Sequence, residues 1–297
     1  MTQPENQNIE YKESWRDEYL KWICGFANAQ GGILYIGKND SGETVGVQDA
    51  QRLIEEIPNK IRDILGIIAS VNLHSVEDHD YIEIIIEPYP YPVSYKGQYY
   101  YRSGSTRQEL RGAALDHFLL QKQGRTWDCV PVPHAAVDEL SLETFDAFRV
   151  LARKSSRLGS DILDETNYGL LQKLHLLEGK YLKRAGVLLF HPDPEKYFTG
   201  AYVKIGYFRT DAELLYHDEI QGDLFSQAQE TIDLLLTKYL KAGITYEGIQ
   251  RVEKLPVPED ALREAVLNAL THKDYSSGTP IQISVYPEKI MIWNPGT

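Results

Sequence analysis

Apolar residues recur at helical spacing through 15–30 (WRDEYLKWICGFANAQ), where Trp15, Tyr19, Trp22, Ile23 and Phe26 form one stripe, so the pattern predicts an amphipathic helix. Gly31-Gly32 closes it, and the apolar run ILYIG predicts a short buried strand. Asn39-Asp40-Ser41-Gly42 reads as a turn before a second strand at 44–47, and 49–66 reads as another helix. YIEIIIEP at 81–88 predicts a strand, and the tyrosine-rich stretch to Arg102 predicts a hairpin turning at Lys96-Gly97. Strands and helices mixed in this order predict an α+β domain over 1–125.

The period is lost between 126 and 140 (TWDCVPVPHAAVDEL), where two prolines suit a linker. Beyond it the pattern predicts helices at 141–154 and 166–177, a strand at 186–190, a turn at 191–194 and a strand at 201–208. A helix at 222–241 follows, then a helix at 259–272 introduced by Pro256-Val257-Pro258, and a hairpin over 281–293. The expected organisation is therefore a first domain at 1–125, a linker at 126–140, and a helical segment with a further α/β domain at 141–297.

Composition changes this picture little. With 42% apolar and 25% charged residues, the 297-residue chain is ordinary globular material, long enough for two cores. No apolar run approaches the roughly 18 residues of a membrane helix, and the polar start MTQPENQN lacks a signal-peptide pattern. Two distant cysteines, Cys24 and Cys129, suit a reducing compartment, so the expectation is a cytoplasmic protein that does not enter membranes. Charge changes more. A net charge of −12 weighs against nucleic-acid binding, because phosphates call for basic groups. Yet 96–125 holds Lys96, Arg102, Arg107, Arg111, Lys122 and Arg125 against only Glu109 and Asp116. Any contact with a phosphate backbone is expected there, and to be local and salt-sensitive.

Thr106 with Glu109 three positions later is a capping-box pattern, which predicts a helix beginning near Arg107. A helix start exposes free backbone N–H groups at the positive end of its dipole. Arg102, Ser103, Gly104, Ser105, Thr106 and Arg107 placed there, with Lys96 nearby, would form an anion pocket of hydroxyls, amides and guanidinium groups. Alternatively the two arginines pair with acidic neighbours and the loop is only a cap. Tyr89, Tyr91, Tyr95, Tyr99, Tyr100 and Tyr101 beside this stretch could stack on bases or fill a core. The block Phe26–Gly32 reads as structural: Asn28 bonding the following turn, the glycines permitting positive φ.

Four blocks carry a family resemblance: Glu10-Tyr11-Lys12-Glu13-Ser14, Phe26-Ala27-Asn28-Ala29-Gln30-Gly31-Gly32, Ile36-Gly37-Lys38-Asn39-Asp40-Ser41-Gly42 and Tyr101-Arg102-Ser103-Gly104-Ser105-Thr106-Arg107. In that order, over roughly 5–122, they resemble the Schlafen AlbA-like domain. The resemblance implies a nucleic-acid-binding mixed-sheet domain of a bacterial transcriptional regulator, contacting DNA or RNA. It also implies an alternative: Glu5, Glu10 and Asp40 stand at the places of the acidic trio of Schlafen-type nucleases, where carboxylates hold a divalent cation that activates water.

In the second region, Glu264 and Asn268 lie at i and i+4 on the polar face of the helix 259–272, with His272 a turn further. A solvated face explains that pattern, and so does a nucleotide site. Arg263–Tyr275 resembles the N-box of divergent GHKL (Bergerat-fold) ATPases, and Ile290–Gly296 resembles their next motif. The resemblance implies ATP and Mg²⁺ as ligands, Glu264 as catalytic base, Asn268 as magnesium ligand, and Asn294 with Gly296 at the adenine. Because the chain stops at Thr297, just after the Asn-Pro-Gly turn, the expected ATPase-like domain lacks its glycine-rich lid, and the last strand lacks a neighbour. The leading expectation is a nucleic-acid-binding regulator, with a metal-dependent nuclease and a GHKL-type ATPase as alternatives; the resemblances also make a homodimer an expectation.

Overall fold

Every second residue of the strand His79–Ile86 is turned inward, and that alternation places the first sheet against its helices. The computed structural model describes residues 4–155, 159–240, 243–247, 250–254 and 256–296. It is an α+β chain that divides into two compact units, Met1–Arg125 and Thr126–Thr297.

The first unit runs β1 (Ile9–Lys12), α1 (Leu20–Asn28), β2 (Gly32–Ile36), α2 (Ala50–Leu65), β3 (Ser70–Val76), β4 (His79–Ile86), β5 (Tyr100–Ser103), β6 (Thr106–Glu109) and α3 (Gly112–Lys122). The sheet order is β1-β2-β4-β3, with β1 parallel to β2 and the other pairs antiparallel. Leu34 and Ile36 from β2 and Ile82, Ile84 and Ile86 from β4 meet two helical stripes: Leu20, Ile23 and Ala27 of α1, and Leu53, Ile57, Ile61 and Leu65 of α2. The two glycines before β2 act differently. Gly31 takes φ +77° beside the Ile86 carbonyl, whereas at Gly32 a Cβ would run into the ring of Phe26.

Several expectations for this unit fail locally. The helix expected over 15–30 is regular only over Leu20–Asn28, preceded by a 3₁₀ turn at Asp17–Tyr19. The strand expected at 44–47 reduces to one bridge between Lys38 and Thr44. Strands β1 and β3 were not anticipated, because both are polar and paired at the sheet's two edges. The most consequential correction is at Thr106–Arg107, where no helix begins. Residues 106–109 are β6, paired with β5 across a tight turn at Gly104 (φ +57°), and the next helix starts at Gly112. Thr106 Oγ1 donates to the Ser103 carbonyl at 2.9 Å, so the hydroxyl closes the hairpin instead of capping a helix.

The second unit contains α4 (Leu142–Ser155), α5 (Ser160–Leu163), α6 (Asn167–Lys173), β7 (Leu177–Glu178), β8 (Tyr181–Leu182), α7 (Arg184–Phe190), β9 (Val203–Thr210), β10 (Glu213–Ile220), α8 (Leu224–Leu234), β11 (Gly243–Glu247), β12 (Gln250–Lys254), α9 (Glu259–Thr271), β13 (Ile281–Val285) and β14 (Ile290–Trp293). Its main sheet has the order β10-β9-β13-β14, with β9 and β13 parallel. Val203, Ile205, Ile281, Ile283 and Val285 pack there with Ile232 of α8 and Leu262, Val266 and Leu270 of α9. A second cluster gathers Phe145, Leu170, Leu171, Val187, Leu188 and Phe190.

The stretch 126–140, expected as a linker, packs into that second cluster through Ala135 and Leu140, and its backbone bonds to Leu182 and Arg184. The strand expected at 186–190 is helical: GVLLF is buried on every side, and an all-apolar run of this length gives no period by which to tell helix from strand. At the sheet edge, β14 leaves Met291 and Trp293 about half exposed (53% and 51%). Among the described residues no helix is long and apolar enough to cross a membrane.

Candidate functional site

Within the first unit the chemistry collects where α1, β1 and the β5–β6 hairpin meet. Arg102 and Arg107 sit directly opposite each other on the two strands of the hairpin, an arrangement that repels unless each charge is balanced. The structure balances them in different ways. Arg102 turns inward and is 1% exposed, with Nη1 donating to Glu10 Oε2 at 2.7 Å and Nη2 donating to the carbonyls of Asn6 (2.6 Å) and Ile9 (3.2 Å). Glu10, also buried, accepts from Lys12 Nζ on its other oxygen. The arginine expected at an open anion pocket is therefore locked by a carboxylate. Removing water from both charges is tolerable only because these bonds replace it.

Arg107 remains half buried at the surface and, among the described residues, makes no ion pair. Its guanidinium lies over two rings instead, 5.3 Å from Trp22 and 5.0 Å from Tyr100. Trp22 is a hub, because Arg102 (4.8 Å) and Lys12 (5.3 Å) lie against the same indole. The neighbouring rings Tyr95 and Tyr100, 6.5 Å apart, seat two more cations. Lys21 Nζ lies 5.8 Å and 5.9 Å from them, and Lys96 Nζ lies 5.3 Å from Tyr95. Among the described residues neither lysine has a carboxylate partner. The closest acids are engaged elsewhere: Glu109 takes two bonds from Arg111, which hold its carboxyl below the usual range, and Asp17 pairs with Lys60 at 2.7 Å.

Hydrogen bonds from distant segments fix this surface. Asn28, at the end of α1, donates to the carbonyls of Val93 and Tyr100 and accepts from the Val93 amide, each at 2.8 Å. It thus bridges 65 and 72 residues along the chain rather than bonding the turn that follows it. Beside it, burial pushes the Cys24 thiol up to about 11, which leaves a packing group and not a reactive one. Gln7 clamps the hairpin from outside, donating to the Arg102 carbonyl at 2.9 Å and accepting from the Gly104 amide.

Of the expected anion-binding residues, the structure thus unites Lys96 with Arg107 and removes Arg102. Ser103, Ser105 and Thr106 are exposed on the hairpin tip. Lys21 was not anticipated; its signal was a lone lysine beside Trp22 in an otherwise apolar helix. The acidic trio is not assembled, since among the described residues no three His, Cys, Asp or Glu side chains group to hold a metal ion. Glu10 is occupied by Arg102 and Lys12, Glu5 Oε1 accepts from the Tyr11 amide at 3.0 Å, and Asp40 is exposed in its turn.

In the second unit Glu264 and Asn268 are both exposed on α9, without partners among the described residues. Asn294 does not stand open. Its Nδ2 donates to the Ala269 carbonyl at 2.9 Å, Asp274 N donates to the Pro295 carbonyl at 3.0 Å, and a Cβ at Gly296 would strike the His272 carbonyl. These contacts fasten the end of β14 to the end of α9. Next to them Lys273 is 6% exposed, its Nζ has no hydrogen-bond partner among the described residues, and the Tyr275 ring lies 4.2 Å away. Burial pulls its pKa down to about 8, against a weaker opposing pull from Asp274.

Residues 5–111 match the family model described as Schlafen, AlbA_2. Among solved structures, the DIP2311 protein of Corynebacterium diphtheriae is 19% identical with a TM-score of 0.45; the match covers 98% of this chain, which spans only 61% of that one. The N-terminal domain of a RecG-related protein of Nitrosomonas europaea is 22% identical with a TM-score of 0.26, covering 35% of this chain and 83% of its own. No curated protein matches the sequence.

Two outcomes follow for stability. Breaking the buried pair from one side, with Glu10→Leu or Arg102→Met, is expected to lose about 3–5 kcal/mol, while the double variant Glu10→Leu/Arg102→Met loses less than the sum. Denaturant titrations of all four proteins measure this, and additive losses would refute the coupling. For Lys273, both the folded and the unfolded chain carry the proton below pH 8. Between about 8 and the ordinary 10.5 only the unfolded chain keeps it, so stability rises with pH through that window. Lys273→Met should therefore exceed the parent by roughly 1–3 kcal/mol at neutral pH, with the gap closing towards pH 10. A gap independent of pH in urea melts would show that the ammonium is not the cause.

Proposed function

We propose that the first unit is a nucleic-acid-binding module, and that the protein acts as a regulator contacting DNA or RNA through the surface formed by Lys21, Lys96 and Arg107. One observation carries this reading. Three cations from α1, the 95–98 turn and β6 converge on the rings of Tyr95 and Tyr100; among the described residues none of them makes an ion pair, and Glu109 near Lys21 and Arg107, with Asp17 near Lys96, offsets only part of their charge. In a chain of net charge −12 such a grouping invites an external anion. The match to the AlbA_2 model over 5–111 supports a nucleic-acid-related role. Arg107→Ala should weaken retention of labelled duplex or structured RNA by about tenfold in gel-shift titrations of the full chain. Failure of the parent protein to retain either probe would remove the reading.

For the second unit we propose a nucleotide-binding role of the ATPase type, favoured by Glu264 and Asn268, exposed one turn apart on α9 and without side-chain partners among the described residues. Their chemistry suits the ligand: the Asn268 amide oxygen can take one magnesium position, and the Glu264 carboxylate can hold a water. Asn294 fits less well, because its Nδ2 is engaged by Ala269, which leaves only its oxygen for an adenine amino group. Mg-ATP would supply the phosphoanhydride. At saturating Mg-ATP the melting temperature should rise by several degrees, and Asn268→Ala should abolish the rise. An equal shift in both proteins would exclude Asn268 from the site.

A further inference from the structure

Resting on the nucleic-acid reading above, we infer that this surface selects guanine, with Arg107 reading the N7 and O6 acceptors of the base's Hoogsteen edge and Gln98 supplying a further donor beside it. The starting point is how Arg107 is held. Its Nε is buried without a hydrogen-bond partner among the described residues. The two terminal nitrogens reach the surface and make no hydrogen bond among the described residues, so the side chain presents an end-on fork of N–H donors. The guanidinium lies against two rings, 5.3 Å from Trp22 and 5.0 Å from Tyr100, and Tyr100 is itself only 4% exposed. A fork restricted in this way before a ligand arrives loses less entropy on forming its bonds.

The same tyrosine sets Gln98. Its hydroxyl donates to Gln98 Oε1 at 2.8 Å, which engages the amide oxygen and leaves Nε2 as a donor. Gln98 is exposed on a tight turn, closed by Tyr95 N donating to the Gln98 carbonyl at 2.8 Å and Gln98 N donating to the Tyr95 carbonyl at 3.0 Å. The Tyr100 ring therefore seats a fork while its hydroxyl orients an amide, and both offer donors. The carboxylates close by do not supply acceptors for a base, since Glu109 is held by Arg111 and Asp17 by Lys60. The edges that bases show outside Watson–Crick pairing answer such a site differently. Guanine sets two acceptors side by side, adenine an acceptor beside an amino donor, thymine one acceptor beside a methyl group, and cytosine an amino donor. Only guanine satisfies both prongs. Lys21 and Lys96 are point charges on the adjacent rings and suit the phosphates that flank the base. A neutral amide gains little from a phosphate, and its place beside the fork favours a base edge over backbone contact alone.

The N7–O6 edge is open in paired and unpaired guanine alike, so a duplex and a single strand both serve as probes. Fluorescence anisotropy with the full chain compares, in each format, an oligonucleotide with central guanines, the same one with 7-deazaguanine, which still pairs but lacks the N7 acceptor, and one with adenine in those places. The parent protein should bind the guanine probe at least about fivefold tighter than either of the others in one format or both, which tells paired from unpaired guanine as the target. Arg107→Lys keeps the charge and loses the fork; it should hold all three probes alike, near the parent's affinity for the adenine probe, and that retained binding shows the variant to be folded. Gln98→Met should narrow the preference, and it decides alone if Arg107→Lys binds nothing. A parent preference below about fivefold in both formats, or one that survives either substitution at full size, would overturn guanine reading while leaving nucleic-acid binding in place. Failure of the parent to bind any probe would instead remove the nucleic-acid reading, and this inference with it.

Discussion

Burying a guanidinium and a carboxylate together is the constraint around which the first unit is arranged. Glu10 comes from β1 and Arg102 from β5, 92 residues apart, and neither charge could be buried without the other. Once the pair forms, the β5–β6 hairpin has one position relative to the sheet. That position decides where the opposite strand points Arg107. The fate of the two arginines is thus a single event: neutralising one inside sets the other, without an ion pair among the described residues, at the surface, where Trp22 and Tyr100 support it.

This dependence explains what could be read from the chain and what could not. Strand β4 was legible as a short β-branched run bounded by Pro88, and the Lys96-Gly97 turn because Gly97 takes its positive φ without strain. Helices α2 and α9 showed their apolar stripes plainly. The anion pocket was only half legible. Lys96 and Arg107 were found, but a capping-box spacing at Thr106 and Glu109 resembled a helix start, and the turn at Gly104 overrode it. Nothing in the local pattern distinguishes Arg102 from Arg107; the difference lies in a partner on β1, and a pairing so distant in sequence leaves no local trace. Lys21 was missed for the same reason, since the rings it rests on arrive from residues 95 and 100.

The second unit shows a comparable division. The polar face of α9 was legible as Glu264 and Asn268, and both are exposed. The role of the Asn294–Gly296 segment was not, because only the fold reveals that it is tied to the last turn of α9. Lys273 lies within the N-box-like stretch Arg263–Tyr275. Its physical distinction, an ammonium enclosed with a tyrosine ring and no acceptor among the described residues, belongs to three-dimensional packing. The helix Arg184–Phe190 shows the limit of periodicity when every face is covered.

Residues 5–10, which by composition look like a dispensable polar leader, are stitched to the hairpin by Gln7 and by the carbonyls of Asn6 and Ile9. The tip that carries Ser103, Gly104 and Ser105 therefore answers to events at the other end of the unit. A proteolytic nick or a bulky fusion near Asn8 would loosen the hairpin at its root. Its effect would surface as a less stable β5–β6 hairpin rather than as the harmless loss of a tail.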